Sequence, residues 1–541
     1  MSEYSAHVDR FVQDHLPPRE QWPELVYDLP DLRLPDRLNC AVELLDGWSA
    51  AGRGAAPCLI TADTTWTFAD LRERIDRIAH VLVEELGVRP GNRVMLLGYN
   101  SPMLLACWYA VVKAGAVAVT VVPSLRSREL AEVARRARVA FALCDHRLAG
   151  ELRAAQRDSP LRTVLTWGGP LPQNLDGRMR AHPAAFEAVE TAADDPCLIA
   201  FTSGSTGVPK AAVHTHREVL AVCRCFSGAA LHPTPRDIFI GSPPIAFTFG
   251  LLALACYPVY VGASVVLLER AGPEELVAAI ERHGATMCFS VPTVYRTWLR
   301  SGATERLSSL RVAISSAEPL PRATWLEFHQ ATGLELVNCL GSTEMLHAFM
   351  TTGTRAPRPG SVGRPVRGYR AVILGPDGQQ LGDGEVGRLA VKGPSGCRYL
   401  DDPRQAEQVQ GGWNLTGDLA RRDPDGYYWV EGRRDDIIVS AGYNISAAEV
   451  EETLLEHPGV ADCLVVPVPD AMRGQAAKAY VVPTPRVASN EDGARALQDF
   501  VRRRIAAYKC PREVEFIDAL PRTATGKVAR HRLKASARDA R

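Results

Sequence analysis

The chain is 541 residues long, too long for a single hydrophobic core, so several domains are expected. Apolar residues make up 46% and charged residues 23%, as in an ordinary globular protein, and Lys plus Arg balance Asp plus Glu at 62 each, so no global field attracts nucleic acid or a membrane surface. The thirteen cysteines are scattered, with one Cys223-x-Cys225 pair and no CxxC, which argues against a disulfide framework or a zinc site and for the reduced thiols of a cytoplasmic protein.

The start, MSEYSAHVDRFVQDHLPPREQWPEL, has no apolar run, so no signal peptide is expected. TWTFADLRERIDRIAHVLVEELGV reads as an amphipathic helix, and RVMLLGY after PGN as a buried strand. PMLLACWYAVVKAGA is a mostly apolar helix ending at glycine, and VAVTVV is the next strand. Ile245 to Leu268 carries no charge and is long enough to span a bilayer, but Pro258 and Gly262 interrupt it, which favours a buried helix followed by a strand. Helix and strand alternate again in EELVAAIERHGATMCFSV and LRVAISS. Such alternation predicts an α/β protein with parallel sheets flanked by helices. From about 353 to 430 the texture changes to short strands with Gly and Pro turns, a small β-rich subdomain within an N-terminal domain of residues 1–434. Helix and strand patterns resume in a small α+β C-terminal domain, 435–541.

TSGSTGVPKAA, from Thr202 to Ala212, packs hydroxyls, glycines and one lysine into a few residues. Backbone N–H groups of such a loop converge on an anion, with hydroxyls as extra donors and lysine as a charge. A Walker loop does not fit, because Lys210 follows Pro209 and precedes Ala211, and because strand-like runs, PCLIAF and AAVHTH, flank the loop as a hairpin.

TSGSTGVPK resembles the phosphate loop of the adenylate-forming superfamily, which includes acyl- and aryl-CoA ligases, nonribosomal adenylation domains and luciferases. Further motifs follow in that superfamily's order: SSAEPLP, NCLGSTEM, TGDL, EGRRDDIIVSAGYNISAAEVE and LPRTATGK. The resemblance extends over essentially the whole chain. It implies attack of a carboxylate on the α-phosphate of ATP, release of pyrophosphate, and then transfer of the acyl group to CoA. Two anions must meet, so cations and oriented donors are required. By the resemblance, Thr202, Ser203, Gly204, Ser205, Thr206, Gly207 and Lys210 hold the β- and γ-phosphates. Glu344 binds Mg²⁺, Thr343 contacts the α-phosphate, and Asp418 and Arg433 contact the ribose or phosphate. Ala317, Glu318 and Pro319 form the adenine segment, and Asn338 joins the ATP site. Lys527 bridges carboxylate and α-phosphate during adenylation. Asp435 is the hinge about which the mobile C-terminal domain turns, bringing Gly442 and Tyr443 to a pantetheine tunnel.

Two departures from the common pattern, Leu340 in place of an aromatic and PPIAFTFG without a histidine, point to the benzoate and 2-aminobenzoate CoA ligase branch, whose motif is similar to GSTEMLH. Carried over, Phe249, Gly341 and His347 line an aryl pocket. Were 344–347 helical, Glu344 and His347 would share one face. The expected substrate is an aryl carboxylic acid, a 2-amino- or 2-hydroxybenzoate. Transfer to a carrier protein or an amine remains the alternative acceptor step, a luciferase-type oxygenase would need O₂, and a non-catalytic module is strained by the presence of Lys210, Glu344 and Lys527. Neither a nucleic acid nor a membrane partner is expected, and a homodimer is left open.

Overall fold

In the computed structural model, the described residues are 4–170, 172–202, 209–354, 357–433, 437–440, 443–470, 474–522 and 528–539. Four sheets organise them. The first has six strands in the order Thr163–Trp167, Phe141–Asp145, Arg93–Leu97, Val117–Val121, Pro196–Thr202 and Lys210–Thr215. Its first five strands run parallel and the sixth returns antiparallel as a hairpin. The second has nine strands, with a parallel centre built on Ile238–Gly241, Met287–Ser290, Val312–Ser315 and Leu336–Gly341 and antiparallel pairs at both ends. The third is antiparallel, runs from Arg370–Leu374 to Tyr428–Arg433, and answers to the expected β-rich stretch. The fourth, with long strands Val460–Asp470 and Gly474–Pro483, belongs to the C-terminal domain and has its own core around Val450, Val465 and Val481.

The helices between the first two sheets follow from local chemistry. Thr67 and Asp70 close a capping box at the start of Phe68–His80, each accepting from the other's backbone N–H at 3.1 and 2.9 Å. That helix buries Leu71, Ile75 and Ile78 against Pro102–Lys113, which is apolar on every side and buried throughout from Leu104. Ser101 caps the second helix and Pro102 opens it, where a missing N–H is harmless. The uncharged stretch from Ile245 breaks as the sequence suggests: helical turns run from Thr248 to Val261, Gly262 ends them at φ 72°, and Ser264–Val266 enters the second sheet. No helix among the described residues is long and apolar enough to cross a membrane.

One charge lies deep between these helices. Lys113 is 3% exposed and its ammonium is 2.6 Å from Asp76, itself 1% exposed, and 3.0 Å from Asp46. Removing one partner of a buried pair strands the other. Lys113→Met is therefore expected to lower the unfolding free energy by about 3–5 kcal/mol in denaturant titration. Lys113→Met/Asp76→Leu, which removes both charges, should recover much of the loss.

Candidate active site

The hairpin Pro196–Thr202 and Lys210–Thr215 sets Thr202 opposite Lys210. The loop between them, with Ser203, Gly204, Ser205, Thr206 and Gly207, lies outside the described residues. The outer strand gains a further neighbour from far along the chain: Leu400 N–H donates to Ala211 O at 2.9 Å, Val213 N–H donates to Arg398 O at 2.9 Å, and Ala212 faces Tyr399. This pairing delivers the Tyr399 hydroxyl to the base of the loop. It donates to Glu344 Oε1 at 2.5 Å and lies 2.7 Å from Lys210 Nζ, which is 3.6 Å from the same carboxylate. Tyr399 is fully buried, and its backbone N–H is held by Gln405 Oε1 at 2.9 Å. Burial alone would raise the pKa of Glu344, but the Lys210 charge and the Tyr399 hydroxyl hold it below the usual carboxylate range.

A carboxylate kept ionised beside the lysine expected to bind phosphate suits Mg²⁺, which takes one or two protein carboxylates and completes its shell with phosphate oxygens and water. The donor set fits the ion. Tyr399 belongs to none of the motifs quoted from the sequence. Its only local signal is its position shortly before TGDL.

Residues 342–347 form a tight turn between Leu336–Gly341 and Ala348–Thr351, so the condition for Glu344 and His347 to share a helix face is not met. Met345 N–H donates to Ser342 O and Leu346 N–H to Thr343 O, and Leu346 takes φ 67°. A side chain at Gly341 would meet the His347 carbonyl at 2.6 Å, so glycine is needed where the chain doubles back. The reversal separates the two side chains: Glu344 turns to Lys210, while His347 enters an aromatic cage. Thr343 is held from outside the turn, its carbonyl accepting from His214 Nε2 at 2.8 Å. His214 is itself buried beside Glu218, which pairs with Arg398. Burial would raise Glu218, but Arg398 and His214 keep it ionised. The sequence reading did not single out His214, because a histidine on a buried strand has no distinguishing pattern.

The cage consists of Phe226, Phe249, Tyr257 and His347. The imidazole centroid is 4.9 Å from Phe226, 5.7 Å from Phe249 and 5.0 Å from Tyr257. Phe289 closes the group at 6.3 Å from both Phe249 and Tyr257. Phe249 alone of these rings is partly exposed and marks the open side. Neither His347 ring nitrogen has a hydrogen-bond partner, nor does the Tyr257 hydroxyl, although all three atoms are buried. Burial pushes the His347 pKa down to about 3, so the ring is neutral near pH 7.

The remaining predicted residues fall into four groups. Ala317 takes φ 70°, an uncommon backbone for a residue with a Cβ, and precedes Glu318 and Pro319. Glu318 accepts from Thr293 Oγ1 at 2.8 Å and lies 3.6 Å from Arg522 of the C-terminal domain. Asp418 and Arg433 face each other across paired strands at 3.2 Å, and burial raises the Asp418 pKa against the pull of Arg433. Asn338 directs its amide to Ser361 O at 2.8 Å, a bond within the protein that leaves its part in an ATP site without direct support. Lys527, Asp435 and Gly442 lie outside the described residues, and Tyr443 opens the strand Tyr443–Ser446. A bridge between Arg522 and Val528 brackets the Lys527 segment, so its flank adjoins the predicted adenine segment through Glu318.

Residues 47–398 match the family model described as AMP-binding enzyme, and residues 449–527 that of the AMP-binding enzyme C-terminal domain. The chain belongs to the AMP-binding enzyme family. CoA ligases of this family use ATP, Mg²⁺ and CoA, and the chain is an enzyme of that AMP-forming class. Benzoate–CoA ligase of Thauera aromatica is 29% identical over 514 residues, covering 94% of this chain and 98% of its own. The structure of the anthranilate CoA ligase AuaEII in complex with anthranoyl-AMP superposes with a TM-score of 0.90 at 30% identity, over 95% of this chain and 99% of that one. The amide bond synthetase McbA of Marinactinospora thermotolerans superposes with a TM-score of 0.81 at 27% identity, over 92% and 99%.

In this AMP-binding enzyme, Glu344→Gln keeps the shape of the side chain and removes its charge. Acid-dependent pyrophosphate release at limiting Mg²⁺ is expected to fall by about 10²–10³, the scale of a lost electrostatic contact in a transition state. Unchanged release would remove Glu344 from the metal site.

Proposed function

We propose that this AMP-binding enzyme is an aryl-CoA ligase whose preferred acid is a benzoate with an ortho donor, 2-amino or 2-hydroxy. Benzoate-type CoA ligase activity is supported by the relatives, and the finer choice of acid rests on one observation: the unpartnered His347 imidazole and Tyr257 hydroxyl inside an aromatic cage. Aromatic walls accept a flat ring. A neutral imidazole has one nitrogen that donates and one that accepts, so it can meet an amine or a hydroxyl. A buried polar group without a partner is costly, and a ring substituent that supplies one recovers about 1–3 kcal/mol.

In the first half-reaction the carboxylate oxygen attacks the α-phosphorus of ATP and pyrophosphate leaves. Lys210 and the backbone and hydroxyl donors of 202–207 hold the β- and γ-phosphates, and Tyr399 keeps Lys210 and Glu344 in mutual register. Mg²⁺ on Glu344 supplies charge neutralisation at the phosphate oxygens. Lys527 offsets the repulsion between the two reacting anions. In the second half-reaction the CoA thiol attacks the acyl carbonyl and AMP leaves, with the C-terminal domain turned about Asp435 so that Gly442 and Tyr443 flank the pantetheine arm. A second reading, transfer of the acyl group to an amine, is favoured by the likeness to the amide bond synthetase.

With 2-aminobenzoate, salicylate, benzoate and hexanoate as acids, kcat/KM is expected to be roughly ten- to hundredfold higher for the ortho-substituted rings. His347→Ala should erase most of that preference and Tyr257→Phe part of it. A win for hexanoate would overturn the aryl reading. Supplying CoA or amines as acceptors in the same assay separates the two transfer steps. Lys527→Ala is expected to abolish pyrophosphate release while sparing thioester formation from supplied aryl-adenylate. An equal loss of both half-reactions in a folded variant would refute the assigned role of Lys527.

A further inference from the structure

The helix Phe68–His80 continues as a π-helical turn, Val81–Glu85, and brings His80 and Glu84 together at 2.6 Å. His182 arrives from a separate loop, its ring parallel to that of His80 to within 1° at 5.7 Å between centroids. The backbone of this loop is fastened independently of the rings: Arg77 donates to the His182 carbonyl at 2.9 Å, and Arg178 pairs with Glu85 at 2.9 Å. His80 and His182 side chains are only 14% and 13% exposed, while Glu84 is 54% exposed and opens the group to solvent.

Each outward ring nitrogen is anchored to a fixed acceptor. His80 Nε2 meets the Ala185 carbonyl at 2.8 Å, an acceptor only, so Nε2 carries a proton there. His182 Nε2 meets the Glu85 carboxylate at 2.7 Å and is a donor for the same reason. Both Nδ1 atoms face Glu84, at 2.6 and 3.4 Å. Its carboxylate is likewise an acceptor only, so without an ion a proton sits between His80 Nδ1 and Glu84, and a cation taken up by these atoms displaces it. The ligand atoms of all three residues lie within 4.8 Å of one another. Metal-binding histidines characteristically have the non-ligating N–H anchored to a carbonyl or carboxylate. Adjacent ligands of tetrahedral zinc sit roughly 3.3 Å apart, from bond lengths near 2.0–2.1 Å, so small side-chain rotations complete the geometry.

We propose that His80, Glu84 and His182 form a binding site for Zn²⁺ that ties the 179–186 loop to the end of the helix. The cysteine pattern argues against a zinc site, but here two imidazoles and a carboxylate supply the ligands, a set that suits a borderline cation and not Mg²⁺ or Ca²⁺. Of the nearby charges, Arg77 pairs with Glu73 and Arg178 with Glu85, which leaves the Glu84 carboxylate to face the two imidazoles. None of these ligands belongs to the ATP, acid or CoA sites, so the ion acts on stability: binding only the folded state raises the denaturation temperature.

The test uses the full chain, stripped with chelator and titrated with ZnCl₂ in excess Mg²⁺ by calorimetry, alongside thermal denaturation. The parent is expected to bind one more equivalent of Zn²⁺ than His80→Gln/His182→Gln and to gain thermal stability that the double variant does not gain. Pyrophosphate release should be the same in both. Since the double variant could fail to fold, Glu84→Gln, at an exposed position, is the second probe. It should weaken Zn²⁺ binding by at least the roughly 10–100-fold that accompanies loss of an outer-shell partner. Equal stoichiometry and equal thermal response in parent and variants, or an unchanged affinity in Glu84→Gln, would overturn the site.

Discussion

Joining a carboxylate to a phosphate requires two anions to approach, and the site depends on how that repulsion is managed before any substrate arrives. Its centre is the Tyr399 hydroxyl, which lies within hydrogen-bonding distance of both Lys210 and Glu344. Lys210 and Glu344 already sit at ion-pair distance, 3.6 Å, and the shared hydroxyl fixes where each of them points. With a hydroxyl between them, the carboxylate stays ionised and the ammonium stays directed to the base of the loop. Much of the surrounding architecture serves this arrangement: the 398–400 segment bridged to the hairpin delivers Tyr399, the 342–347 turn delivers Glu344, and His214 steadies that turn through the Thr343 carbonyl.

The same turn divides the labour of the site. A chain reversal at Gly341 puts the charged residue on one side and the imidazole on the other. The residues proposed for phosphate chemistry and for acid recognition therefore sit a few positions apart on one hairpin, yet face different surroundings. One is charged and hydrogen-bonded, and the other is aromatic, with polar atoms unsatisfied. Buried polar atoms left without partners reward a ligand that completes them and penalise one that cannot.

The fold was largely legible in the sequence, because buried parallel strands and amphipathic helices differ in period and because Gly262 and Pro258 punctuate the one ambiguous run. The phosphate hairpin was legible for a similar reason: its donors are contiguous, and a strand-like run, where a Walker loop would open a helix, follows them. The three-residue spacing of Glu344 and His347 gives them one shared face only if the segment is helical. The structure makes a turn there instead, since strand pairing on both sides leaves too few residues for a helix. Tyr399 and His214 escaped notice because their partners are remote in sequence, and no local pattern encodes a contact of that range. Asn338 was singled out from its motif alone, and its amide N–H is held by the Ser361 carbonyl, a long-range contact that the motif does not encode.

The bond between Lys210 and Tyr399 joins positions 189 residues apart. On a ribosome, the phosphate loop is thus synthesised long before the strand that completes its outer edge. Until that segment emerges, Lys210–Thr215 is an unprotected sheet edge and Glu344 lacks its hydroxyl partner, so the nucleotide site is assembled late by an element of high contact order. A nascent chain interrupted short of Tyr399 would carry the full phosphate-loop motif and still present an open strand for another chain to pair with.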